Sequence, residues 1–161
     1  MFAVSRALRD VPELNGVPGG TTAETVDLAL SAAGPGGTVW PVYRGADALD
    51  LLQISAERER LIEAARTGAL TEADTANASA SLSNLGGYPV DVHVPAEPGP
   101  QIVRVTVGRV LEKPISFQRM LTIRPRVWFS LAIDASAADA EAGGRFLAAL
   151  QRRLNDLAES I

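Results

Sequence analysis

Apolar and polar residues alternate across positions 25–31, with Val26, Leu28 and Leu30 set against Thr25, Asp27 and Ala29. A period of two predicts a half-buried strand. The run Gly34-Pro35-Gly36-Gly37 breaks it, and residues 38–43 read as the second strand of a hairpin, where Pro41 marks an edge or a bulge. A longer alternation spans Gln101 to Leu111, with Val103, Val105 and Val107 facing one way and Arg104 and Thr106 the other. Shorter strands are predicted over 80–84, ended by Gly86-Gly87, and over 126–133. The period changes to that of a helix over 2–9, 47–66 and 137–160. In the second helix Ala48, Leu51, Leu52, Ser55, Leu61, Ile62 and Ala65 lie near one face, and Gly68 is its stop. In the third, Phe146, Leu147, Leu150, Leu154 and Leu157 share a face. Residues 88–100 form a Pro- and Gly-rich loop. The elements give an α/β fold with a mixed sheet and helices packed on its outer face.

Bulk properties narrow the function classes. At 161 residues one domain over 1–161 is expected, large enough to bury a core. A net charge of −4 lacks the clustered Lys and Arg of a nucleic-acid footprint. The chain has no cysteine, so disulfide and thiol chemistry are excluded. No apolar run reaches bilayer length, and residues 1–15 are amphipathic, unlike a secretion signal. These features predict a cytoplasmic protein with no membrane or nucleic-acid partner, and no metal or cofactor is implied.

Several stretches run in a recognisable order. Ala7-Leu8-Arg9-Asp10-Val11-Pro12-Glu13-Leu14-Asn15 comes first. Val26 to Leu30 and Gly36 to Tyr43 follow. Next come Ala46-Asp47, the charged helix, and Gly68-Ala69-Leu70-Thr71-Glu72-Ala73-Asp74. Then stand Ser81-Leu82-Ser83-Asn84-Leu85-Gly86, Pro98-Gly99-Pro100-Gln101 and Val107-Gly108-Arg109. Last is Ile133-Asp134-Ala135-Ser136-Ala137-Ala138-Asp139-Ala140. In this order and spacing the chain resembles the catalytic domain of the dihydrolipoamide acyltransferases of 2-oxo acid dehydrogenase complexes, with a chloramphenicol acetyltransferase-like fold. The family's last motif is Asp-His-Arg-x-x-Asp-Gly. Here Asp134 and Asp139 keep their places, while Ala135, Ser136 and Ala140 fill the His, Arg and Gly slots. The resemblance also implies one more helix and strand before Met1, so the chain is expected to be an N-terminally shortened version of the domain.

The resemblance implies acyl transfer between two thiols in a channel between subunits of a homotrimer. A histidine acts as general base, and a hydroxyl of the Ser81–Gly86 motif stabilises the oxyanion. That hydroxyl is Ser83; it reads equally as an ordinary small polar strand residue. Asp139 is the motif's second aspartate or a helix N-cap. A methyl group at Ala135 accepts no proton; Ala135 and Asp139 are expected to form the channel wall that faces Ser83, Tyr88 and His93, with Ala135 in contact with substrate. His93, the only histidine, is a relocated base, a partner for a substrate carbonyl, or a solvated loop residue. Tyr88 is a weaker substrate contact. Arg104 and Arg109 are cationic contacts for a carboxylate or phosphate, or ordinary sheet-face charges.

Three functions follow. The first is a repurposed trimeric enzyme of specialised biosynthesis that binds a small organic or acyl substrate between subunits, for cyclisation, condensation or rearrangement. The second is a non-catalytic structural or regulatory partner in a hetero-assembly with an intact acyltransferase subunit. The third is a residual acyltransferase using coenzyme A or another thioester.

Overall fold

The first hairpin is split in two. β1 (Leu28–Leu30) pairs with β4 (Val42–Tyr43), while β2 (Ala32–Gly34) and β3 (Gly37–Val39) form a separate ribbon. Pro41, which has no N–H to donate, sits at the break, and its carbonyl accepts from the Leu30 N–H at 2.9 Å. The computed structural model describes residues 1–117 and 119–160.

The main sheet has the order β4-β1-β5-β6-β9, with β5 (Ala80–Asn84), β6 (Val103–Val107) and β9 (Phe129–Ile133). β1, β5 and β6 run parallel, and β9 is antiparallel to β6. Period two sorts the two faces. Leu28, Leu30, Leu82, Val103 and Val105 are buried in the main core, against α1 (Phe2–Asp10) and α4 (Ala140–Ser160). The alternate positions are Ala29, Ser31, Ser81, Ser83, Arg104, Thr106, Ser130 and Ala132. The opposite face is therefore built of small and polar residues.

α2 (Leu51–Thr67) starts later than its hydrophobic pattern predicts. Asp50 accepts from the Gln53 N–H at 2.8 Å and the Gln53 side chain accepts from the Asp50 N–H at 2.9 Å, a reciprocal cap. Asp47 instead takes the Val26 N–H at 3.0 Å. The buried face is Ile54, Leu61 and Ala65, whereas Leu51 and Leu52 face outward. Gly68 ends the helix at φ 72°, which a Cβ disfavours. α4 starts at Ala140 and buries Ala142, Phe146, Ala149 and Leu150, leaving Leu147 exposed. Between α2 and β5 lies the short α3 (Glu72–Thr75). Asn15 is buried; its amide donates to the Ala23 and Thr25 carbonyls and its oxygen accepts from Ser79 Oγ at 2.6 Å. That residue ties the loop after α1 to the start of β5.

The strand predicted over 101–111 ends at Val107. The chain then enters a ribbon that the hydrophobic pattern does not predict, β7 (Leu111–Phe117) and β8 (Met120–Arg126). These two strands pair only with each other, and Met120, Leu121 and Ile123 are exposed.

Candidate active site

β5 and β6 place Ser81 level with Arg104 and Ser83 level with Thr106. All four project from the polar face of the sheet. The 88–100 loop folds over this face and is stitched at three points. Thr106 Oγ1, fully buried, donates to the His93 carbonyl. Arg109 N–H donates to the Val90 carbonyl at 2.9 Å, and Arg109 Nε reaches Asp91 Oδ1 at 2.6 Å. Arg109 is thus committed to an ion pair that holds the loop. Gly108 lets the loop lie this close: an added Cβ would stand 1.9 Å from the Asp91 carbonyl oxygen.

The loop, the β2–β3 ribbon and the sheet line an open cavity of about 480 Å³. Ser83, Tyr88, His93 and Arg104, four of the residues singled out from the sequence, line it. Ser31, Thr38 and Trp40 join them; Thr38 and Trp40 belong to the 36–43 motif, read there only as a strand, and Ser31 to none. Ser31 Oγ donates to Ser83 Oγ at 3.2 Å. Whichever of the two donates, the other keeps its proton for a ligand. The His93 imidazole is exposed and makes no hydrogen bond among the described residues. Tyr88 is 65% exposed at the rim. The Arg104 guanidinium lies 4.9 Å from the Trp40 ring centroid, and its Nε donates to Ser81 Oγ at 3.4 Å.

Ala135 and Asp139 do not line this cavity. Ser83 is level with Ser130 through Thr106, and Ala135 lies beyond the far end of β9 at Ile133. At ~3.3 Å per residue the two levels are roughly 10 Å apart along the strands, with two strand spacings of ~4.8 Å across. Asp139 accepts the Ala142 N–H at 2.8 Å, which caps α4. Asp134 accepts from both Ser136 Oγ at 2.6 Å and Ser136 N–H at 2.8 Å. Those bonds hold its carboxyl below the usual carboxylate range. Ala135 is therefore the exposed tip of a well-tied turn. Among the described residues no three His, Asp or Glu gather as metal ligands, and no helix is long and apolar enough to cross a membrane.

The family described as 2-oxoacid dehydrogenases acyltransferase (catalytic domain) matches residues 1–161. The chain belongs to this acyltransferase family. The family's likeness runs through sequence and fold. The succinyltransferase component of the Saccharomyces cerevisiae mitochondrial 2-oxoglutarate dehydrogenase complex is 29% identical over 157 residues, 96% of this chain and 34% of that protein. The chain spans about a third of the length of the curated relatives it matches. A probable dihydrolipoamide acetyltransferase from Listeria monocytogenes superposes with TM-score 0.91 at 24% identity, over 96% of this chain and 68% of that one. The Azotobacter vinelandii dihydrolipoamide acetyltransferase gives 0.91 at 24%, over 97% and 66%. In that enzyme the catalytic roles of a serine, a histidine and an asparagine four residues beyond it have been studied. Chloramphenicol acetyltransferase superposes at 0.58, in keeping with the fold expected from the motifs.

Proposed function

We propose that this family member binds a small acyl or organic substrate in the Ser83 cavity and works as a homotrimer without the family's general base. The observation that carries the proposal is the split site. Ser83, Tyr88, His93 and Arg104 converge on one cavity, while the Ala135 turn sits at the other end of the same sheet. One copy cannot bring the two together, so a two-walled channel requires a neighbouring copy. The serine, histidine and asparagine studied in the Azotobacter enzyme correspond on this reading to Ser83, Ala135 and Asp139.

The chemistry follows from what is present. Ser83 supplies a hydroxyl donor for a developing oxyanion, and Asp139 caps the helix behind the Ala135 turn. With a methyl at Ala135, no proton is taken from an attacking thiol at that point. Loss of a general base costs about 10²- to 10⁴-fold. Transfer of acetyl from acetyl-CoA to dihydrolipoamide is therefore expected at least about a hundredfold below that of a histidine-bearing family member. The chemistry left to the site is cyclisation, condensation or rearrangement, driven by shape and orientation. Light scattering tests the assembly: a monomer at micromolar concentration overturns the channel. A steady-state transfer rate within tenfold of such a relative overturns the assignment of Ala135.

A second reading, a non-catalytic partner of an intact acyltransferase subunit, draws on a groove of about 470 Å³ between α4 and the base of the β7–β8 ribbon. Val110, Phe129, Leu147 and Leu154 make it largely apolar. Co-purification with such a subunit, combined with intact function of a Ser83→Ala variant, moves this reading to first place.

A further inference from the structure

Arg104 is the one guanidinium in the cavity wall, and it has no carboxylate in ion-pair contact among the described residues. Several arginines are ion-paired, among them Arg109 with Asp91, Arg44 with Asp27 and Arg60 with Glu57 and Asp74. Arg104 instead lies against Trp40 at 4.9 Å and gives only a long 3.4 Å bond to Ser81. Its terminal group fits beside Gly99, where an added Cβ would come within 2.4 Å of Nη2. The residue lines two cavities at once, of about 480 and 340 Å³, and no Asp or Glu lines either. A cation against an aromatic face keeps its in-plane N–H groups for a partner. A half-buried charge without a counter-ion also gains most from an anionic ligand.

We propose that Arg104 binds the carboxylate of the substrate, so that the cavity selects an acyl group ending in a carboxylate over a neutral acyl group of the same length. This deepens the acyl-pocket reading and rests on it. Arg104 stands two residues along from the level of Ser83, on the neighbouring strand and on the same face. The diagonal between such positions is roughly 8 Å. A short dicarboxylic chain spans it with its thioester carbonyl at the Ser83 hydroxyl and its carboxylate at the guanidinium. A single guanidinium suits a singly charged carboxylate better than a doubly charged phosphate, which calls for several donors or cations.

The test measures binding of the succinyl and butyryl thioesters of N-acetylcysteamine to the full chain, with inorganic phosphate as a competitor. These probes match in length and differ in terminal charge. The succinyl thioester is expected to bind wild type at least about tenfold more tightly than the butyryl thioester, the loss typical of one charge-assisted bond. Arg104→Gln should bring the two to within twofold, and Arg104→Lys should keep part of the preference. The wild-type ratio is informative even if the variants fold poorly. Equal binding of the two thioesters by wild type overturns the carboxylate role while the acyl pocket stands. Phosphate that displaces the succinyl thioester at lower concentration than free succinate does overturns it in favour of a phosphate site. If neither thioester binds, both the inference and the acyl-pocket reading fall.

Discussion

Asp74 accepts three hydrogen bonds, from Arg60 Nη2 at 2.8 Å, Thr71 Oγ1 at 2.7 Å and Thr71 N–H at 3.0 Å. The Arg60 guanidinium, and then the Thr71 donors, hold its carboxyl well below the usual range. A carboxylate depressed on folding adds stability above its unfolded value of about 3.9, and that stability is lost as pH falls toward the folded value. Asp74→Asn should therefore cost about 1–2 kcal/mol at pH 7, given the half-exposed Arg60. In urea unfolding the gap from wild type should narrow progressively below about pH 4. A gap that does not change with pH assigns the loss to packing. Asp139 has a different task. Its bond to the Ala142 N–H caps α4, so Asp139→Ala should lower stability by ~1 kcal/mol while Asp139→Ser restores most of it. A further loss of ligand binding in Asp139→Ala that Asp139→Ser does not rescue would point to a role beyond the cap.

The 88–100 loop is the element on which the cavity depends, and Gly108 is where it crosses β6's end. Gly108→Ala puts a methyl 1.9 Å from the Asp91 carbonyl oxygen and 2.6 Å from its carbon, backbone atoms that have to move. The loop is expected to lift and carry His93 and the cavity wall with it. Ligand binding should drop at least tenfold, whereas Gly87→Ala, with nothing within 4 Å of the added group, should bind as wild type. Equal binding by both variants would show that the loop does not form the site. Elements with an unbroken period were legible in the sequence: β1, β5, β6, β9 and the cores of α2 and α4. The β7–β8 ribbon was not. Pro114 and Pro125 lie inside its strands, where the two outer edges of a two-stranded ribbon tolerate a missing N–H. Of the residues lining the cavity, Ser83, His93 and Arg104 stood out in the sequence through motif order and the loop between β5 and β6. Ser31 did not, and Thr38 and Trp40 were read only as strand residues, because the separate β2–β3 ribbon meets a strand far along the chain at this cavity. No local pattern encodes that meeting.

At the scale of the molecule, the β7–β8 ribbon is the part least explained by one copy. Isolated two-stranded ribbons are marginal in water, and this one carries Leu121 at 82% and Ile123 at 67% exposure. Exposed apolar side chains of this kind mark contact surfaces. On the proposed homotrimer, replacing Leu121 and Ile123 together by serine should shift sedimentation toward monomer while the main core, which these residues do not enter, still folds. An unchanged sedimentation profile would remove the ribbon from the interface. The ribbon has a thermodynamic corollary. If its apolar strip is covered only by another copy, part of the folding free energy belongs to association, and mass action ties it to dilution. The melting temperature should then climb with protein concentration by several degrees over two decades, and the serine variant should melt at one temperature throughout. Such a chain has no single intrinsic stability: how firmly it folds depends on how much of it the cell makes.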